Sequence, residues 1–252
     1  MTDWLPDWIT DTFVSDIAAG TAVTIGLTLL TTVFSVAIGI LAALARSSER
    51  TGRRRIATWF VEVFRNVPAL ILLIFFAFAI PNIFPQDLRR QIFFQNPIID
   101  FASEVTSLPL PYYAFAAIVA LSANTGAHLG EVIRSGIGSI APQRLEVARS
   151  LGASRATMHR TITIPDAVRI SFPGITNRLV HNLKNTALVG FVAVPDAFQE
   201  IQATITRTFE ATATLTFAAI LYLVLAAIFE FGLGTIERGL WRGRPITRSA
   251  DV

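Results

Sequence analysis

The chain has 252 residues, 52% of them hydrophobic and 15% charged, and a mean hydropathy of +0.55. Soluble domains carry about 25% charged residues, so the deficit points to a bilayer. A formal charge of +3 is too small and too unevenly spread to mark a nucleic-acid partner, and the absence of cysteine excludes a disulfide framework or a thiolate metal site.

The opening stretch, MTDWLPDWITDTFVSD, is acidic and lacks a basic start, so it does not read as a cleaved secretory signal. Trp4 and Trp8 suit the headgroup level of a membrane. Between Asp16 and Arg46 no residue is charged, and a hydrocarbon core about 30 Å thick needs roughly 20 apolar helical residues. This is the first predicted span. A second lies between Arg65 and Asp87, where Pro68 frees a helix carbonyl. A third runs between Glu104 and Glu131 with His128 as its one ionisable residue. A fourth, Phe172 to Val194, carries Arg178, His181, Asn182 and Asn185 at i, i+3, i+4 and i+7, a single helical face. Such a helix can cross a membrane when its polar face looks into protein or a wet cavity. The fifth lies between Glu210 and Glu230.

The distribution of arginine supports this count. The N-terminal segment has none. Arg46, Arg50, Arg53, Arg54 and Arg55 follow the first span, and only Arg89 and Arg90 follow the second. Arg134, Arg144, Arg149, Arg155, Arg160 and Arg169 follow the third, Arg207 alone the fourth, and Arg238, Arg242, Arg244 and Arg248 the last. Poor and rich segments alternate, as the positive-inside rule requires of five spans with the N-terminus outside and the C-terminus cytoplasmic. The expected architecture is a single all-α membrane domain over residues 1–252, five transmembrane helices without internal repeats.

The third connection, about residues 143–165, is basic and helix-forming. Gln143 to Leu151 reads as a short amphipathic helix with Leu145, Ala148 and Leu151 apolar. Gly152 stands where a left-handed cap would end it. Ser154 can cap a second short helix and Pro165 can start the next. Periodicity alone allows a helix held on the membrane surface by anionic lipid. The residues Glu146-Val147-Ala148, Gly152, Ile162 and Ile164-Pro165, however, closely resemble the signature loop of ABC-importer permeases, Glu-Ala-Ala-x3-Gly-x9-Ile-x-Leu-Pro, with Val147 for Ala and Ile164 for Leu.

The resemblance extends over most of the chain and narrows to the polar amino-acid branch. FRNVPALILLIFFAFAIP is similar to its Phe-Arg-Gly-Thr-Pro-Leu-Leu region, GEVIRSGIGSI to its Ala-Glu-x-x-Arg-Gly-Gly-Ile segment, and LKNTALVGFVAV to its Lys-Asp-Thr-Ser-Leu segment. Asn185 replaces the usual Asp, His128 stands where Tyr is common, and Leu72 where Gln is common. The resemblance implies a type I (MetI-like) permease fold, half of a homo- or heterodimeric pore. It implies that Glu146, Ala148, Gly152, Ile162 and Pro165 belong to a coupling helix that docks on a separate ATP-binding subunit. An external amino-acid-binding protein would deliver the substrate. The chain itself offers no P-loop, because its only lysine, Lys184, follows no glycine-rich turn. No cofactor is expected.

Two cations in the spans call for an explanation. At 1.5 Å per residue Arg65 lies about 16 Å along a helix starting near Arg54, and Lys184 lies at a similar depth in the fourth span. An unpaired cation there costs about 2.5 kcal/mol or more. Either they are structural, bonded to carbonyls or to Glu62, or they meet a substrate carboxylate, with Asn66, Asn185 and Thr186 adding hydrogen bonds. Asn185 in place of Asp leaves the balance beside Lys184 more positive, which favours glutamate or glutamine over arginine or lysine.

Glu131 and Arg134 form an i, i+3 pair expected to brace the coupling helix. His128 and His181 have no second ligand at metal-site spacing. Glu230 is expected to face a partner helix, and Tyr112, Tyr113 and Trp241 to anchor at the interface. The competing readings are an ion-driven secondary transporter or channel, which needs acidic sites in mid-span, and an accessory scaffold, which needs no signature loop.

The cysteine-free background makes topology testable. Cysteines at Ser48 and Ser154 are expected to resist an impermeant thiol reagent in intact cells, and one at Ser103 to react. External labelling of Ser154→Cys would end the five-span reading.

Overall fold

A computed structural model describes residues 9–97 and 112–241, without the side chains of Arg155, Ala156, His159 and Trp241. The expectations for Trp4, Trp8, Ser103 and the Trp241 side chain therefore lie outside the described residues. Every described element is helical.

Helix α1, Asp11–Arg46, starts where the Thr10 hydroxyl accepts the Phe13 N–H (3.1 Å), with Asp11 in the first turn and Arg46 in the last, both favourable to the helix dipole. Three of its buried threonines satisfy their hydroxyls on the helix itself. Thr24, Thr28 and Thr31 donate to the carbonyls of Gly20, Thr24 and Leu27 at 3.1, 2.8 and 2.7 Å. Helix α2, Thr51–Asn66, runs back along α1 and ends at Val67, which is extended (φ −86°, ψ 129°) as a residue before proline must be. Across Val67-Pro68 the chain bends by 106° into α3, Ala69–Ile74. A π turn, Phe75–Ala79, joins α3 to α4, Ile80–Asn82. The short α5, Gln86–Arg89, and a second π turn, Arg90–Phe94, follow.

Helix α6, Tyr112–Gly138, is the centre of the bundle, and residues 120–127 are buried without interruption. It lies parallel to α1 at close range. A Cβ on Gly126 would sit 2.6 Å from Ile38 Cγ2 and 3.2 Å from the Ser35 carbonyl, and one on Gly39 would sit 2.6 Å from Leu129 Cβ. The seam is small-xxx-small on both helices, Ser35/Gly39 against Gly126/Gly130, so the backbones approach without a side chain between them.

Helix α7, Pro142–Ser150, lies outside the bundle. Helix α8, Arg155–Met158, runs through a π turn, His159–Thr163, directly into α9, Ile164–Asn185. Pro165 occupies the first turn of α9, but no break precedes it. After Asn185 the chain tightens to a 3-10 turn, Thr186–Val192, that stops at left-handed Ala193 (φ 58°). The predicted fourth span is thus not one uniform helix. Asp196 then caps α10, Ala197–Thr208, and α11, Ala211–Trp241, completes the described chain.

By length and apolarity two of these helices can cross a membrane, α1 and α11, and the bent α2–α3 pair adds a third. Helices α6 and α9 have 27 and 22 residues but a more polar composition. The reason is packing: protein covers α6 on almost every side, so its side chains answer to other helices and not to lipid. Tyr112, expected at the membrane interface, is also held within the bundle. Its hydroxyl donates to the Phe76 carbonyl (2.7 Å), inside the π turn, and its ring packs on Phe93 and Phe94.

Gly126→Leu is expected to force α1 and α6 apart at a cost of about 1–3 kcal/mol or more, lowering the melting temperature in detergent. Gly26→Leu on α1, where an added Cβ meets nothing within 4 Å, serves as the control and should melt like the parent.

Candidate functional site

Three polar rungs climb α6. In the first, the Thr125 hydroxyl donates to Asn182 Oδ1 (2.8 Å) and Asn182 Nδ2 donates to Thr31 Oγ1 (2.8 Å), tying α6, α9 and α1 through fully buried groups. Each such interhelical bond contributes roughly 0.6 to 2 kcal/mol.

The second rung closes the α2–α3 break. Pro68 has no N–H for the Phe64 carbonyl, and Asn124 Nδ2 supplies one instead at 2.7 Å, with Val67 O at 3.4 Å. The carbonyl freed by Pro68 is therefore taken up by the scaffold. Asn124 Oδ1 accepts from the Arg178 guanidinium (2.7 Å).

In the third rung Glu131 gathers three arginines: Arg46 in direct contact, Arg134 at 2.6 Å and Arg65 at 3.8 Å. The Glu131–Arg134 pair exists as expected, but it braces α1 and α2, not the coupling helix. The reason is reach: Arg46 ends α1 one turn below Glu131.

The sequence-derived candidates are distributed unevenly around these rungs. Arg65 is ion-paired with Glu131. Asn66 donates to Glu62 (3.2 Å), one turn back on its own helix. The buried Thr186 hydroxyl donates to the Leu183 carbonyl (2.6 Å) at the end of α9. Lys184 is exposed in the last turn of α9, where its charge suits the helix dipole, and half-buried Asn185 follows it. The polar face expected on α9 divides: Arg178 and Asn182 turn inward, while His181 is exposed near Lys184.

Two groups emerge that the sequence reading did not place among the site residues. Arg178 has no carboxylate partner among the described residues. Its one hydrogen-bond acceptor there is neutral Asn124, and its buried Nε has none. Arg65, Arg178 and His181 all lie within electrostatic reach of His128, so positive groups converge here. Asn124 is the other; an asparagine beside a threonine in an apolar span was the available signal.

At the opposite end, Asp196 is fully buried. Its Oδ1 accepts from the Gln199 N–H (2.9 Å) and its Oδ2 from the Tyr222 hydroxyl (3.2 Å), while the Ala197 N–H donates to Thr24 Oγ1 (3.1 Å). The turn after α9 is thereby locked to α1 and α11.

The candidates of the third connection lie on a tight elbow. The Ala153 N–H bonds the Ala148 carbonyl (3.0 Å) and the Gly152 N–H the Arg149 carbonyl (2.9 Å), a Schellman cap with Gly152 at φ +80°. Ser154 Oγ accepts the Thr157 N–H (3.1 Å). Arg144 pairs with Asp166 (2.6 Å), pinning α7 to the start of α9. Glu146 is exposed, Ala148 buried, and Ile162 and Pro165 half-buried. Of the expected apolar face, Ala148 is buried and Leu145 half-buried, whereas Leu151 is 83% exposed, with Val147 beside it at 60%.

This geometry, a glycine-sealed helix bundle with an external elbow, is that of a transporter membrane subunit. Residues 35–242 match the family of binding-protein-dependent transport system inner membrane components, and the chain belongs to that family. It is a multi-pass membrane protein, as the sequence led us to expect.

A Rickettsia conorii protein named as the glutamine transport system permease protein GlnP is 27% identical over 181 residues, 72% of each chain. The arginine transport system permease protein ArgU of Corynebacterium glutamicum is 30% identical over 168 residues, 66% of this chain and 49% of that one. Among solved structures, an amino acid ABC transporter with histidines superposes with a TM-score of 0.70 at 24% identity, covering 90% of this chain and 95% of that one. The inward-facing MetNI methionine ABC transporter gives 0.66 at 18%, covering 92% and 99%. The all-α, MetI-like permease fold is thereby established.

Proposed function

We propose that this chain is the permease subunit of an ATP-driven importer for polar amino acids of the glutamine or glutamate type. It crosses the membrane five times, with its N-terminus outside, and forms half of a pore with a second permease chain. ATP-binding cassette subunits dock on the α7 elbow, through Glu146 and the exposed Val147 and Leu151, with Gly152 shaping the turn. Ala148, Ile162 and Pro165 support that surface from within. An extracytoplasmic binding protein supplies the substrate. ATP binding draws the two elbows together and opens the pore outward; hydrolysis resets it.

One observation carries the substrate reading: Arg178 and Lys184 have no carboxylate within ion-pair distance among the described residues. Two such cations within one helix are expensive in a membrane unless an anion visits them. The α-carboxylate of an amino acid supplies that anion, with Asn185 beside Lys184 as a hydrogen-bonding neighbour. Arg65, whose charge Glu131 offsets, widens the positive field, and Asn66 and Thr186 shape the wall around it. The resemblance to a glutamine permease supports the same class, and the relative named for arginine provides the contrast to test.

In the reconstituted complex, Lys184→Met and Arg178→Met are expected to lower glutamine or glutamate uptake about tenfold or more, as loss of a charged hydrogen bond of roughly 1.5–3 kcal/mol implies. Protein level and basal ATPase should persist, most clearly for exposed Lys184. Normal uptake by both variants, or a preference of the parent for arginine over glutamine and glutamate, overturns the assignment.

Gly152→Arg tests the elbow separately. A bulky residue cannot easily hold φ +80°, so binding-protein-stimulated ATPase should collapse while the subunit stays in the membrane. Normal stimulated transport would refute the docking role.

A further inference from the structure

Beside the α1–α6 seam, helices α1 and α2 flank a crevice of about 370 Å³. Its walls are Ile38, Leu41 and Ala45 of α1 and Ile56 and Phe60 of α2, and Arg53 is its one charged group. The crevice has a direction. The helices are joined by a short turn after Arg46 and run antiparallel, so Arg53 and Ala45 lie at the turn end and Phe60 and Ile38 farther up. Seven residues separate Ile38 from Ala45, about 10 Å along the helix. One end is cationic and the rest is apolar.

That is the outline of a phospholipid: a charged headgroup at the turn and a hydrocarbon tail along the groove. Charge selects the class. Arg53, Arg54 and Arg55 stand exposed on consecutive positions of α2, and none is in an ion pair among the described residues. Trp59, 67% exposed, lies two turns or less from all three, where an indole fits the boundary between headgroup and chain. We propose that the α1–α2 crevice is a binding site for an anionic phospholipid of the cytoplasmic leaflet, its headgroup on Arg53 and one acyl chain between Leu41, Ile56 and Phe60. The choice of leaflet rests on the orientation proposed above; the binding itself does not.

The test is native mass spectrometry of the full-length chain in detergent, titrated with dioleoylphosphatidylglycerol or dioleoylphosphatidylcholine. The parent should bind phosphatidylglycerol about fivefold more tightly, the effect of one basic residue at an anionic headgroup. Arg53→Gln should abolish the preference, whereas Arg54→Gln, outside the crevice, should retain most of it. Ala45→Phe, which fills the headgroup end of the crevice, should lower binding of both lipids. Three results overturn the site: no preference in the parent, equal losses in Arg53→Gln and Arg54→Gln (a diffuse basic surface), or lipid-insensitive dimers that bury the crevice. Labelling of Ser48→Cys from outside would instead refute the orientation while leaving the lipid measurement to stand or fall by itself.

Discussion

A helix bearing Asn124, Thr125, His128, Glu131 and Arg134 is stable within a membrane only when other helices satisfy those groups. That constraint on α6 organises the molecule. Thr31 and Asn182 complete one rung, the carbonyls at the Pro68 break and Arg178 a second, and Arg46 and Arg65 a third. The glycine seam makes the arrangement feasible, because it brings α1 within reach of α6 without intervening side chains.

The same network separates charges that hold the fold from charges left available. Glu131 collects three guanidinium groups at the end of α1, where their main effect is to join helices. Among the described residues Arg178 receives a neutral partner and Lys184 no ion-pair partner, so positive potential remains at the far end of α9. Asp196 and Tyr222 lock the turn just beyond. Scaffold and exposed charge thus share one helix: Asn182 faces the core, and Lys184 two residues later faces outward.

Outside the bundle the elbow follows a different logic. A Schellman cap, an Arg144–Asp166 pair and buried Ala148 hold α7 rigidly against its own chain. Val147 and Leu151 are left projecting. A continuous run from Arg155 through a π turn into α9 connects this elbow to Arg178 and Lys184. From Arg155 onward that connection is helical backbone, not an extended linker.

Much of this was legible in the residues. Charge-free runs, alternating arginine content and the spacing Glu146, Gly152, Ile162, Pro165 determined the membrane class, the family resemblance and the left-handed glycine, because each depends on local chemistry or on the bilayer's thickness. Pro68 likewise announced a freed carbonyl in its span, though not the 106° bend there. What only the tertiary structure decided was partnership. No periodicity indicates that Asn124 answers the Phe64 carbonyl from 60 residues away, that Glu131 reaches Arg46 across 85, or that Arg178 turns inward and Lys184 outward. Leu151 of α7 is exposed while Ala148 is buried for the same reason. A helical wheel marks which residues share a side, but which side meets protein is set by neighbours that arrive from elsewhere in the chain.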